Sequence, residues 1–201
     1  IGGEFSDPAT GEMEDVVNPA NGEVIARSPL SGSEDVNKAV AAARKAFESW
    51  QNTTPSERQD LLLKLADAFA ERADEITDLE TMDAGKPRQA VWKIGPALAT
   101  GNTLILKPAE TTPVTTLKVL AEMCGEIFPP GVCNFIGGHG DPVGSGLVTH
   151  PEVDFVSLTG SPETGKWIAE HAADTLKRVH LELGGKAPVV VFDDADMELA
   201  M

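Results

Sequence analysis

The segment Gly160-Ser161-Pro162-Glu163 combines residue types that suit anion chemistry. A strand-like run at residues 155–158 breaks at Thr159-Gly160. Ser161 then has the side chain of a helix N-cap, Pro162 the fixed φ of a first helical position, and Glu163 a charge suited to the first turn. An open helix start just past a strand end turns unpaired N–H groups and a positive dipole toward a phosphate, which makes Gly160 and Ser161 candidates for a dinucleotide pyrophosphate. Read alone, the segment serves equally well as a helix start with no ligand. Residues 160–166 also fit G-x-x-x-x-G-K, but Trp167 stands where a P-loop needs Ser or Thr to hold magnesium. A nucleoside triphosphate site of that kind is therefore set aside.

Other residues carry weaker signals. Lys107 and Glu110 follow residues 103–106, which read as a buried parallel strand, and open α/β sheets bind ligands at the carboxyl ends of such strands. The same two residues also fit a surface ion pair. Residues 138–144 read G-H-G-D-P-V-G, one residue longer than the usual dinucleotide fingerprint and weak by itself. His139 and His150 read as loop residues. Glu182 lies on the polar face of an alternating run with Arg178 and His180, opposite Val179, Leu181 and Leu183. Cys124 and Cys133 show no Cys-x-x-Cys spacing and no His at ligand distance, so they read as buried small hydrophobes, with neither a disulfide nor a metal.

The elements that position these residues follow from turn and periodicity signals. Asp7-Pro8, Thr10-Gly11, Asn18-Pro19 and Asn21-Gly22 separate short β-prone runs and predict a hairpin-like arm within residues 1–30. Ser33 is expected to cap a helix whose stripe is Val36, Ala39, Val40, Ala43, Phe47 and Trp50. Thr54-Pro55-Ser56-Glu57 is a capping box starting a second helix with Leu62, Leu65, Ala66 and Phe69 inward. A third helix runs over about 74–82 and ends near Gly85, with Pro87 as a stop. From Thr112 a helix carries Leu117, Leu120, Ala121 and Cys124 on one side, and residues 132–136 form a strand. After Ser161 the helical stripe is Ile168, Ala169, Ala172, Ala173 and Leu176, so residues 155–183 read as strand, helix, strand.

With 32 Asp plus Glu against 16 Lys plus Arg, the net charge is −16. So acidic a surface repels nucleic acid and anionic membrane, and neither is expected as a partner. No apolar run approaches a membrane span, nothing resembles a signal peptide, and a cytoplasmic location is expected. At 201 residues, opening on Ile1 and closing on Met201, the chain reads as a fragment.

L-T-G-S-P-E-T-G at residues 158–165, L-E-L-G-G-K-A-P at 181–188 and K-P-A-E-T-T-P at 107–113 together resemble the NAD(P)-dependent aldehyde dehydrogenase superfamily, in the family's order and with similar spacing. N-P-A-N-G-E-V-I-A-R at 18–27 is similar to the family's N-terminal arm. The resemblance implies an α/β fold, a Rossmann-type doubly wound parallel sheet. Residues 1–90 would be the N-terminal β arm and helices, and 91–201 a partial NAD-binding domain. It breaks at Val91: residues 85–91 look like the end of a third helical segment, whereas 91–102 look like a helix lying much further along the family. The segment expected between them would hold the first, central strand of the sheet, and losing it leaves two half-sheets with unpaired edges or forces a rearrangement.

For function the resemblance implies NAD-dependent oxidation of an aldehyde to a carboxylate, with Glu182 as the base that activates water. It assigns cofactor contacts to Lys107, Glu110, Gly140, Gly144, Thr159, Gly160, Ser161, Gly165 and Leu183. A carboxylate at Glu110 accepts both hydroxyls of an adenine ribose and repels a 2′-phosphate, which favours NAD over NADP. The family's oxyanion-holding Asn falls in the skipped segment; Asn102 and Asn134 are not in its context, and neither cysteine sits in the nucleophile motif. The chain is therefore expected to be inactive, either a non-catalytic NAD-binding protein or an interaction remnant. A small-molecule aldehyde is the family's substrate, and a homo-oligomer is the expected assembly.

Overall fold

Turn chemistry folds the N-terminal arm back on itself. The Asn18 side chain accepts the N–H of Ala20 at 2.9 Å, and Gly22, at φ 76°, closes the turn onto the Asn18 carbonyl at 2.8 Å. Strands β1 (Met13–Val17) and β2 (Val24–Pro29) thereby pair antiparallel, with a register shift between Val16 and Val17. The computed structural model describes residues 1–83, 91–185, 190–192 and 194–196. They divide into two units, 1–154 and 155–201. The junction at 90–91, the helix stop at Gly85 and Pro87, and Lys186 of the third motif lie outside the described residues.

Helix α1 (Ser33–Trp50) begins one residue earlier than its capping signal suggests. Gly32, not Ser33, is the N-cap. Asp35 explains the shift: its buried carboxylate accepts the N–H of Gly32 at 3.0 Å and that of Ala9 at 3.1 Å, so one side chain ends the loop and ties the arm to the helix. Val36, Ala39, Val40, Ala43, Ala46 and Trp50 are buried, while Phe47, placed on the stripe by spacing, is half-buried.

Helix α2 (Pro55–Glu71) has the expected capping box. Thr54 Oγ1 accepts the Glu57 N–H at 3.2 Å and Glu57 accepts the Thr54 N–H at 2.7 Å, a contact that holds the Glu57 carboxyl below the usual range. Thr54→Ala is expected to lower unfolding stability by about 1 kcal/mol in urea titration, the usual value of a Thr cap. The core-facing residues are Leu65 with half-buried Leu61, Leu62, Ala68 and Phe69; Ala66 is exposed, contrary to expectation, because the stripe leans toward 61 and 68. Arg72 joins Glu75 and Glu122 at 2.8 Å each, linking α3 (Ala73–Asp83) to α5 (Ala121–Ile127). Burial raises the Asp83 carboxyl above its ordinary value, and that carboxylate accepts the Val114 N–H at 3.0 Å.

After α4 (Val91–Ala99) comes β3 (Leu104–Leu106), parallel to β4 (Cys133–Phe135). Strand β3 is half-buried rather than buried, consistent with its pairing along one edge only. The helix between them opens with a π-wound stretch, Thr115–Leu120, before α5. That wide turn moves the buried stripe to Val119, Leu120, Met123 and Cys124, leaving Leu117 and Ala121 half-buried. Trp50, fully buried, donates to the Asn102 carbonyl at 3.1 Å and meets Phe128 edge-on at 6.0 Å, at the centre of a cluster with Leu65, Ile94, Leu98, Val119 and Met123. A kinked stretch, Gly140–Gly144, in which Asp141 is extended at φ −121° and ψ 130°, leads into α6 (Ser145–Thr149).

The second unit is the strand, helix, strand read from sequence: β5 (Phe155–Gly160), α7 (Pro162–Ala172) and β6 (Arg178–Leu183). The strands are parallel, with Phe155 opposite Arg178 and Gly160 opposite Leu183. Ile168 and Ala172 are buried, but Ala169 and Ala173 are exposed and Leu176 is 90% exposed. The helix ends at Ala172 and Leu176 takes a left-handed conformation at φ 54°, which removes it from the stripe. The fold is thus α/β: among the described residues the first unit has a hairpin arm, helices and the parallel pair β3–β4, and the second has the parallel pair β5–β6 with its helix. No described helix is long and apolar enough to cross a membrane.

Candidate cofactor site

In the first unit, the chain leaving β3 and the glycine turn after β4 meet around Lys107. Its side chain is 17% exposed, and Nζ donates to the carbonyls of Pro108 at 2.8 Å and Gly138 at 2.9 Å and to Glu110 Oε2 at 3.3 Å. The ammonium thus ties the strand end to the turn, with φ of Gly138 at 123° bringing its carbonyl within reach. A Cβ at Gly144 would stand 3.8 Å from Lys107 Cε, and one at Gly140 would meet nothing within 4 Å. The structure therefore brings Lys107, Glu110, Gly140 and Gly144 to one end of the β3–β4 pair. Glu110 is held below the usual carboxylate range, first by its own backbone N–H and also by Lys107 and His139.

His139, read from sequence as a loop residue, lies inside this cluster. Its Nε2 is 3.3 Å from Glu14 Oε2 and its Nδ1 is 3.9 Å from Glu110 Oε1. Glu14 stands on β1, and no local pattern signals a contact between residues so distant in the chain.

In the second unit, the residues singled out from sequence also gather at one end of a parallel pair. Thr159 lies opposite Glu182 and Gly160 opposite Leu183, and the Gly184 N–H donates to the Gly160 carbonyl at 3.2 Å. Ser161 caps α7, accepting the Thr164 N–H at 3.2 Å, as its position predicts. Glu163 is held below the usual range by its own backbone N–H and by Ser161. Gly165 has a packing reason as well: a Cβ there would come 2.5 Å from Leu183 Cδ2, so a larger residue would require the Leu183 side chain to move. Gly185 has open space beside it.

Glu182 belongs to a hydrogen-bonded row that sequence reading missed. Its Oε1 is 3.0 Å from His180 Nε2, and His180 Nδ1 is 3.0 Å from Ser157 Oγ. A tautomer with the proton on Nε2 satisfies both contacts, Ser157 donating and Glu182 accepting. The alternation of residues 178–183 places His180 and Glu182 on one face, but the partner on β5 required the strand register.

The remaining candidates are structural. Asn134 is fully buried, accepting the Gly2 N–H at 2.8 Å and donating to the Gly131 carbonyl at 2.7 Å. Asn102 caps the end of α4 through the Ala97 carbonyl and Thr100. Cys124 and Cys133 are free and buried. Among the described residues no group of three or more His, Cys, Asp or Glu is placed to hold a metal.

Two strand-to-glycine-turn ends on parallel pairs are the architecture of a nucleotide-binding α/β protein. The sequence profile of the Aldehyde dehydrogenase family matches residues 5–90 and 88–201, and the chain belongs to that family. It is 36% identical over 260 positions to an aldehyde dehydrogenase of Agaricus bisporus, taking in 98% of this chain and 52% of that protein. It is 34% identical over 262 positions to the betaine aldehyde dehydrogenase of Bacillus subtilis, taking in all of this chain and 54% of that one. Betaine aldehyde dehydrogenase from Staphylococcus aureus, solved in complex with NAD+, superposes with a TM-score of 0.91 at 35% identity, covering 100% of this chain and 52% of the other. The chain spans about half the length of these relatives. The aligned stretch of 260 positions exceeds the chain's 201 residues, so dozens of positions in the relative face no residue here.

Proposed function

We propose that this chain is a cofactor-binding, catalytically silent form of an NAD-dependent aldehyde dehydrogenase. The observation that carries the reading is the Lys107–Glu110 pair at the carboxyl end of β3, clamped to the glycine turn through the Gly138 carbonyl. An ionised Glu110 suits the hydroxyls of an adenine ribose and opposes a 2′-phosphate, so NAD is the cofactor. Gly140 and Gly144 leave room for its adenosine half. Within the second unit, taken by itself, Thr159, Gly160, Ser161, Gly165 and Leu183 are assigned as cofactor contacts, with phosphate at the N-terminus of α7. When bound, the nicotinamide supplies a hydride acceptor for an aldehyde in the family's reaction. Glu182 occupies the position of the base.

Silence follows from the thiols. Aldehyde oxidation of this kind needs a thiolate that reaches the carbonyl, and both cysteines are enclosed in the core. The neighbouring Cys124, and then burial, push the Cys133 thiol far above its ordinary value, the opposite of an activated nucleophile. Asn102 and Asn134 are committed to backbone contacts and do not serve an oxyanion. The same reading makes residues 1–90 an arm with helices and 91–201 a partial NAD-binding domain, in a cytoplasmic protein that forms a homo-oligomer.

Titration with NAD is expected to quench tryptophan fluorescence, with Trp167, stacked on His171 at 4.0 Å within α7, as a reporter. Adding an aldehyde is expected to give no NADH absorbance. NADH formation would disprove the silence, and absence of quenching together with a flat calorimetric titration would remove the cofactor assignment. An interaction remnant would instead associate through its sheet edges without quenching.

A further inference from the structure

We propose that His139 sets how strongly the site rejects a 2′-phosphorylated dinucleotide, so that the preference for NAD over NADP relaxes when its imidazole takes up a proton. The inference rests on the cofactor reading above and adds a residue that determines specificity. Its basis is the charge arrangement around Glu110, the carboxylate that faces the ribose in that reading. Glu110 Oε2 pairs with Lys107 Nζ at 3.3 Å, while its Oε1 lies 3.9 Å from His139 Nδ1. The other ring nitrogen lies 3.3 Å from Glu14 on β1.

The charged groups that meet the imidazole are Glu14 from the hairpin and Glu110 from the segment after β3; Lys107 holds the other oxygen of Glu110, and Asp141, two residues along the same loop, takes a hydrogen bond from Ser145 at 2.5 Å. With His139 neutral, Glu14, Glu110, Asp141 and Lys107 leave two excess negative charges in this cluster. With His139 protonated that excess is halved, and the imidazolium also draws on the Glu110 oxygen that Lys107 does not hold. His139 is partly exposed, with a side chain 46% accessible, so the proton has free access. One unit charge a few ångströms away in a partly solvated site changes affinity for a phosphate by roughly three- to tenfold.

The test is a set of calorimetric dissociation constants for NAD and NADP at about pH 5.5 and pH 8, on the chain and on His139→Gln. The 2′-phosphate itself takes up a proton near about pH 6, so the pH series alone is not diagnostic and the variant isolates the protein's share. The expected result is that the NADP-to-NAD ratio of dissociation constants falls roughly three- to tenfold further in the unmodified chain than in His139→Gln. Equal falls in both proteins would overturn the inference while leaving NAD binding intact. Failure of both dinucleotides to bind would overturn the cofactor reading and this inference with it.

Discussion

Replacing Trp50 with alanine is expected to destabilise the first unit by about 3–5 kcal/mol, the usual range for deleting a buried tryptophan ring. Trp50 is 2% exposed and packs edge-on against Phe128, while its indole N–H satisfies the Asn102 carbonyl where α4 gives way to β3. Truncation removes the ring contacts and leaves that carbonyl short of a donor. Urea unfolding followed by circular dichroism measures the loss, and Trp50→Phe separates its parts. The phenyl ring keeps most of the packing, so this variant is expected to lose about 1 kcal/mol through the missing hydrogen bond, plus a smaller volume effect. A loss below about 1 kcal/mol for the alanine variant would show that the core is organised elsewhere, since buried large-to-small changes cost more than that.

Removing the carboxylate of Glu110 is expected to weaken NAD binding by about ten- to a hundredfold, as two charge-assisted hydrogen bonds to a ribose diol would require. Glu110→Ala leaves Lys107 held by the carbonyls of Pro108 and Gly138, so the strand end stays tied to the glycine turn and the melting temperature is expected to change little. The same variant removes the group that opposes a 2′-phosphate, so NADP is expected to lose less affinity than NAD. Because its folded value lies below that of a free carboxylate, Glu110 stays ionised as the pH falls through the free-carboxylate range. Its contribution to binding is therefore fully present above the free-group value and is lost only as the pH drops through the lower, folded one. Calorimetric titration with both dinucleotides checks each point. Equal losses for NAD and NADP would show that Glu110 does not face the ribose.

The parts of this fold that could be read from sequence are those whose cause is local. Ser161-Pro162-Glu163 starts α7 because cap, ring and charge act within one turn, and the Thr54 capping box does the same for α2. The hairpin follows from side-chain turns at Asn18 and Asn21. Gathering of the predicted residues at the ends of the β3–β4 and β5–β6 pairs follows from motif positions just past strands. What escaped sequence reading depends on contacts between distant residues. The start of α1 moves from Ser33 to Gly32 because the Asp35 carboxylate holds the N–H groups of both Gly32 and the distant Ala9. The π-wound turn at Thr115–Leu120 changes the phase of a stripe that a regular helical period cannot reproduce. His139 acquires its setting from Glu14, and His180 from Ser157, each on another strand.

The adjacent thiols in the core have an experimental use. Cys124 is 1% and Cys133 9% exposed, and the neighbouring Cys124 together with burial shifts the Cys133 thiol away from the thiolate form. A thiolate is the species that alkylating reagents consume, so the native chain should react with them only as often as the β4 and α5 layer parts. Rates of modification by a small electrophile, compared across Trp50 variants, then become a clock for transient breathing of this layer that needs neither cofactor nor turnover.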